Sequence, residues 1–267
     1  MAIYHLHVHM GKRGEARTYF DYLQAIGAYE FDERLDRVLY SQSCHLPSWA
    51  HSPRDFWGEE YFKLDGFRVI EVALPYEFEL EDSISCVESF VEMSLDGYAL
   101  SYVIHETKGY PNPHAHIMFS ERKIDVNRAE PDRDNWFKKS RTRKDGSVSG
   151  GYAKDFKIVK GAGRKQWLLD IRESWEDCVN EILASISCDA RVSSQSNEAQ
   201  GLEVKPQFHV GSGASRMELK RSRLWENEMI AAENELLYDD DIVGDFLEGQ
   251  VDDEILYLEE ALLETSI

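Results

Sequence analysis

The stretch from Tyr98 to Phe119 constrains the fold more than any other part of the chain. Two runs of apolar and β-prone residues, Tyr98–His105 and His114–Phe119, flank a short loop holding Gly109, Pro111, Asn112 and Pro113. Strand formers on both sides of a Pro/Gly cluster predict an antiparallel hairpin. The second run alternates. Successive strand side chains leave on opposite faces, so Ala115, Ile117 and Phe119 form one face and His114 and His116 share the other. The apolar face suits a core, and the imidazole face is left for chemistry.

His105 ends the first run. A cross-strand or diagonal neighbour brings it beside His114 and His116, within reach of one metal ion. Three imidazoles with open coordination positions can hold a divalent cation and leave room for a substrate oxygen. Such a cation polarises a phosphodiester as a Lewis acid. An HxH pair alone is weak evidence, more often an ordinary strand feature than a metal site. The rigid NPHAH context and His105 upstream favour a site. His5, His7 and His9 also share one face of a strand expected over Ile3–Met10. Nothing around them resembles a site, so His5 is expected as a site neighbour and His7 and His9 as surface or structural residues.

A metal beside a phosphate needs an attacking group, and no Ser or Cys stands in a recognisable nucleophile motif. A helix expected from about Glu15 to Ile26, with Gly27 as its C-cap, carries TYFDYLQ. Tyr19 and Tyr22 lie on adjacent parts of one face. A tyrosine oxygen suits reversible phosphoryl transfer, because the aryl phosphate it forms conserves bond energy. Spacing does not choose between the two, and helix tyrosines often simply pack.

Elsewhere, residues 41–66 look irregular, with Pro47, Pro53, Ser, Trp and Gly. Arg68–Leu74 is an expected strand stopped by Pro75. Asp82 or Ser83 is expected to cap a helix carrying Ile84, Val87, Val91 and Met93 and ending at Gly97. Trp167, Ile171, Trp175, Val179, Ile182 and Leu183 predict a helix over about 164–184. Residues 188–215 read as short strands and linker. The four cysteines form no CxxC pair, which fits unpaired thiols in a reducing cytoplasm. No run approaches a membrane span, and MAIYHLHVHM does not read as a secretory signal.

The formal net charge of -20 argues, taken whole, against a polyanionic partner. It is unevenly spread. Fifteen acidic residues and no Lys or Arg follow from Leu224 onward, leaving 35 acidic against 30 basic residues before it. Within that body, residues 138–165 hold ten Lys/Arg against two Asp, interspersed with glycines. This basic segment is a candidate for gripping backbone phosphates, or an ordinary solvated loop. Trp136 and Phe137 beside it could stack on bases or belong to the core.

Taken together, these pieces resemble the MobA/MobL relaxases, the HUH-type mobilisation nickases of plasmids in the MobQ group. The matching pieces run in order: MAIYHL; TYFDYLQ followed by GAY; VLYSQS with HLP; EVALP; the HxxxxxxxxHxH core with NPHAHIMFSER; WFK; SWEDCVNEIL; DARV; and EAQGLEVKPQFHVG. They cover roughly residues 1–212. The resemblance implies that Tyr22 is the nucleophile and that His105, His114 and His116 hold the metal. It implies that Glu71 orients a metal-binding histidine or the cation. Two further family carboxylates have no match in place. Val69 stands at one position, and Arg37, with Asp36 adjacent, at the other.

The fold implied is α/β in the α+β sense: a central antiparallel sheet carrying the histidines on one face, with the tyrosine helix laid over it and other helices flanking. The domain division expected is a relaxase domain over 1–212, a linker over 213–223 and an acidic, helical tail over 224–267. The activity implied is metal-dependent nicking and rejoining of single-stranded DNA at an origin of transfer, through a 5′-phosphotyrosyl intermediate. Mg²⁺ or Mn²⁺ is the expected cofactor, although three histidines also suit transition metals. Lys138, Lys139, Arg141, Arg143 and Lys144 are the expected DNA contacts, with Lys12 and Arg13 near the nucleophile. Accessory mobilisation proteins and a type IV secretion coupling protein are the further partners implied, in the cytoplasm of a plasmid-bearing bacterium. A rolling-circle replication initiator is the alternative within the same chemistry, but there the tyrosine usually follows the histidines. A catalytically idle DNA- or metal-binding relative is the other.

Overall fold

Residues that alternate apolar and polar between turn signals build a five-stranded antiparallel sheet. Its strands are β1 (Leu6–Met10), β2 (Arg37–Cys44), β3 (Phe67–Ala73), β4 (Tyr98–Glu106) and β5 (His114–Lys123), in the order β1-β3-β5-β4-β2. The structure is a computed structural model and describes residues 4–30, 36–62, 66–107, 112–159, 162–205, 225–232 and 234. The β4–β5 hairpin forms as its sequence predicts, and β5 becomes the central strand. Register places His105 opposite His114 on β4 and β5, and Glu71 of β3 opposite His116.

Helices cover both faces. On one, α3 (Leu80–Leu95) and α5 (Ala162–Ser185) pack Phe90, Val91, Trp175 and Val179 against Ile70, Val72, Tyr102, Ala115, Ile117 and Phe119. On the other, α1 (Ala16–Leu23) and α2 (Pro53–Phe62) pack Phe20, Leu23, Phe56 and Trp57 against Val69, Val103 and Met118. The histidines share this second face. Two shorter pieces complete the catalogue: a two-stranded ribbon of β6 (Arg141–Thr142) with β7 (Val148–Ser149), and α4 (Phe156–Val159) before α5.

Several expectations change. The segment read as irregular contains α2. Ser52 caps it, its Oγ accepting from the Asp55 N–H at 3.1 Å, and Pro53 opens the first turn, where a missing N–H costs nothing. Helix α3 begins three or four residues earlier than expected. Glu79 is its N-cap, and Asp82 is the reciprocal partner at the third position of a capping box. Met93 is 58% exposed, and the true stripe is Cys86, Val87, Phe90, Val91 and Leu95. Helix α1 stops at Leu23, and Gly27 does not cap it. Ala25 takes the left-handed position (φ 51°), and the Ile26 and Ala25 N–H groups donate to the carbonyls of Asp21 and Tyr22 at 3.0 and 3.1 Å. This is a Schellman closure with alanine where glycine is usual.

The chain divides into two compact units, Met1–Ser194 and Gln195–Ile267. In the second, residues 195–205 form turns and 225–232 a helix, and the Asn234 amide bonds both backbone groups of Lys205 at 2.8 and 3.0 Å. The strands expected over 188–215 do not occur among the described residues of that stretch. The linker over 213–223 and the tail beyond 234 lie outside the described residues. No helix among the described residues is long and apolar enough to cross a membrane.

Candidate active site

The three histidines meet. Their ring centroids lie 5.1–5.5 Å apart, and one ligand nitrogen from each falls within 4.8 Å of the others. The nitrogens on the far side of two of the rings are already engaged. His105 Nε2 lies 2.7 Å from the Leu23 carbonyl, and His114 Nδ1 lies 2.8 Å from the Asn112 carbonyl. A carbonyl only accepts, so these nitrogens carry the protons, leaving His105 Nδ1 and His114 Nε2 as lone-pair donors. His116 Nδ1 faces Glu71 Oε1 at 3.5 Å and has no other partner among the described residues, which leaves its Nε2 for a ligand. Carbonyls and carboxylates holding the outer nitrogen are what metal-binding imidazoles require.

Electrostatics favour the same state. Burial pushes the His105 imidazole down to about 4, against the opposing effect of its bond to Leu23, and burial also lowers His114. Both rings are therefore neutral at physiological pH. The Glu71 carboxylate is held down to about 2, chiefly by His116, and stays ionised. Asp36 Oδ2 stands 3.3 Å from His114 Nε2. With its lone pair on Nε2, His114 sets an acceptor beside the Asp36 carboxylate, an arrangement that a cation contacting both would satisfy. The donor set of three imidazoles with a carboxylate alongside fits a divalent cation. At the expected carboxylate position Arg37 pairs with Glu106 at 2.7 Å, while its neighbour Asp36 faces the site.

Helix α1 is tied to this cluster through Leu23, the residue after Tyr22. Tyr22 is 40% exposed, its ring against Tyr19 and Tyr29. Tyr19 is packed differently, between Phe67, His9 and Tyr22. Burial, then the Glu71 charge, raises its phenol far above the ordinary value, so its phenolate is costly to form. His9, expected to be surface or structural, lies instead against the site, with Nδ1 3.8 Å from Glu71 Oε1. His7 stacks on it at 5.7 Å. His5 sits before β1, where its carbonyl accepts from the Ala73 N–H at 3.2 Å. The signal for His9 was present as the HxHxH alternation, but its meaning depended on β1 pairing with β3.

The basic segment is a protruding ribbon. Lys138, Lys139, Arg141, Arg143 and Lys144 are all exposed, and the last four make no side-chain ion pair with any described residue. Its root is held by two arginines. Arg122, at the far end of β5, donates to the carbonyls of Phe137, Lys138 and Tyr152, and Arg128 to those of Gly150 and Gly151. A side chain at Gly151 would collide with the Trp136 carbonyl, and Gly150 adopts φ +86°, so this close approach needs glycine. Trp136 and Phe137 are core residues beneath the ribbon, 1% and 8% exposed, and present no face to a base. Lys12 and Arg13 are exposed before α1, Lys12 3.6 Å from Glu15.

The sequence model of the MobA/MobL family matches residues 28–220. The chain belongs to the MobA/MobL family. The match includes Glu71 and the three histidines, and Tyr22 precedes it. Mobilization protein A of Escherichia coli is 34% identical over 226 residues, covering 82% of this chain and 30% of that protein. The 43 kDa relaxation protein of Salmonella typhimurium is 34% identical over 216 residues, covering 76% and 56%. A conjugal transfer protein TraA of Rhizobium radiobacter is 29% identical over 162 residues, covering 57% and 14%. The chain thus spans between about a third and just over half the length of the first two relatives. A solved structure from work on the molecular basis of vancomycin resistance transfer in Staphylococcus aureus shares the fold. Its TM-score is 0.50 at 23% identity, covering 73% of this chain and all of that one.

Proposed function

We propose that this MobA/MobL chain nicks and rejoins single-stranded DNA, site- and strand-specifically, at an origin of transfer. The observation that carries this reading is the tether between the histidine cluster and the tyrosine helix, His105 Nε2 to the Leu23 carbonyl at 2.7 Å. It joins three candidate metal ligands to the residue beside an exposed tyrosine.

His105, His114 and His116 would hold the cation, Mg²⁺ or Mn²⁺. When bound, that cation supplies Lewis-acid activation of the scissile phosphate and offsets the charge that develops on its oxygens. Tyr22 attacks the phosphorus in line and loses its phenolic proton to solvent. A bond forms between Tyr22 Oη and phosphorus, the bond from phosphorus to the 3′ oxygen breaks, and that oxygen takes a proton to leave as a 3′-OH. Attack of a 3′-OH on the phosphotyrosyl bond reverses the step and restores the strand. Glu71 keeps His116 in the orientation that turns Nε2 toward the cluster. The basic ribbon grips backbone phosphates, and Lys12 and Arg13 add positive charge before α1. Accessory mobilisation proteins and a type IV secretion coupling protein are the partners this role requires, in the bacterial cytoplasm.

The test incubates the purified chain and Mn²⁺ with labelled single-stranded fragments tiled across the DNA flanking its coding sequence. A covalent protein–DNA adduct on one strand at one position is expected. Its absence with Mg²⁺, Mn²⁺ and Co²⁺ alike sinks the nickase reading.

A further inference from the structure

We propose that His9 is a positioning residue for the metal centre, holding Glu71 from the side opposite to His116; this rests on the metal-dependent reading above. Glu71 sits on β3, between β1 and β5. Its Oε1 faces two imidazoles at once, His116 Nδ1 at 3.5 Å and His9 Nδ1 at 3.8 Å. The sheet register explains the arrangement. His7 lies directly opposite Glu71, and His9 opposite Val69, so His9 reaches the carboxylate diagonally. His7 does not compete for it. Its ring stacks on His9 at 5.7 Å and 26°. Tyr19 closes the other side of His9, edge-on at 6.2 Å. His9 is therefore walled in on two sides and aimed at the one oxygen that orients a candidate metal ligand.

A carboxylate with a single imidazole neighbour is free to rotate away from it. With a second imidazole from the neighbouring strand, 3.8 Å away, the same oxygen has a polar neighbour on either side. The consequence is a better-oriented His116 Nε2 and tighter cation binding, without any contact between His9 and the cation. His7 acts one step further out, by fixing the His9 ring.

The test measures Mn²⁺ binding to the purified full chain by calorimetry, without DNA, alongside the melting temperature of the metal-free protein. Replacing an orienting partner of a metal ligand typically weakens binding by about 10- to 100-fold. His9→Ala, one step further out, is expected to weaken Mn²⁺ binding by about tenfold, the lower end of that range, with the metal-free melting temperature unchanged. His9→Gln, whose amide can still donate to Glu71, recovers most of the affinity. His7→Ala moves in the same direction by less than His9→Ala. Wild-type affinity in His9→Ala overturns the proposal. So does an equal loss in the Ala and Gln variants together with a lower metal-free melting temperature, which marks a purely structural role. A wild-type chain that binds Mn²⁺ with this pattern of variants, yet forms no DNA adduct, overturns the nickase reading and leaves the role of His9 standing.

Discussion

At the scale of single residues, the two tyrosines of α1 show what spacing cannot decide. Tyr19 and Tyr22 are three apart and chemically identical, and either could attack a phosphate. Their surroundings separate them. Tyr19 is packed against Phe67 and His9 beside the Glu71 charge, whereas Tyr22 is exposed and adjoins the residue that anchors His105. Tyr22→Phe should therefore abolish adduct formation, by at least about 1,000-fold in rate, since the proposed mechanism gives the covalent step no other nucleophile. Tyr19→Phe should still form the adduct. Gel shifts under denaturing conditions read both, and an adduct surviving Tyr22→Phe would reassign the nucleophile. The histidine triad was legible because a strand repeats every two residues, so His114 and His116 had to share a face. Asp36 was not legible as a site residue, since it precedes a strand and reaches His114 only through the path of the chain. Asp36→Asn should weaken Mn²⁺ binding by about tenfold, measured by calorimetry without DNA; unchanged affinity would place Asp36 outside the metal centre.

At the scale of elements, long periodic patterns translated into structure and short ones did not. Helix α5 repeats its apolar residues from Trp167 to Leu183 and was readable almost to its ends. Helix α2 buries Phe56 and Trp57, which are adjacent in sequence and imitate a loop-borne aromatic pair; only Ser52 and Pro53 announced it. Helix α1 ends on Ala25 in the left-handed region, where an L side chain costs roughly 1–2 kcal/mol. Ala25→Gly should remove most of that strain and, after the added entropy of the unfolded glycine, stabilise the protein by about 0.5–1 kcal/mol. A melting temperature that falls instead would show that the Ala25 methyl packs usefully. The opposite sign is expected where β3 meets β5. Arg68 and Glu121 are each 4% exposed and pair at 2.7 Å, with Lys154 adding a second contact to Glu121 at 3.0 Å. Arg68→Ala leaves a buried carboxylate with one partially exposed lysine and should cost about 3 kcal/mol in denaturant unfolding. A cost under about 1 kcal/mol would mean that Lys154 alone suffices.

At the scale of the whole molecule, β5 links chemistry to grip. Near its start, His114 and His116 belong to the candidate metal cluster, and six residues beyond His116 Arg122 clamps the root of the basic ribbon. At about 3.3 Å per residue, these two ends lie about 20 Å apart along one rigid central strand. A strand seated at the triad and touching the ribbon would thus be held at two points of fixed separation. The net charge of -20 conceals this, because it averages a near-balanced body with a tail of fifteen acidic residues. What matters to a DNA backbone is the local row of Lys139, Arg141, Arg143 and Lys144, exposed and without ion-pair partners among the described residues. Replacing all four by Gln should weaken single-stranded DNA binding and flatten its dependence on salt. With a slope of about -0.7 per phosphate contact on single strands, the log–log slope should become shallower by up to about 3. The rate of adduct formation at saturating DNA should change by less than about threefold, because on the proposed reading these side chains position the strand and do not touch the reacting phosphorus. Fluorescence anisotropy across a salt series reads the first effect and single-turnover kinetics the second. An unchanged salt slope would remove the ribbon from the DNA path and leave the cations before α1 to carry it.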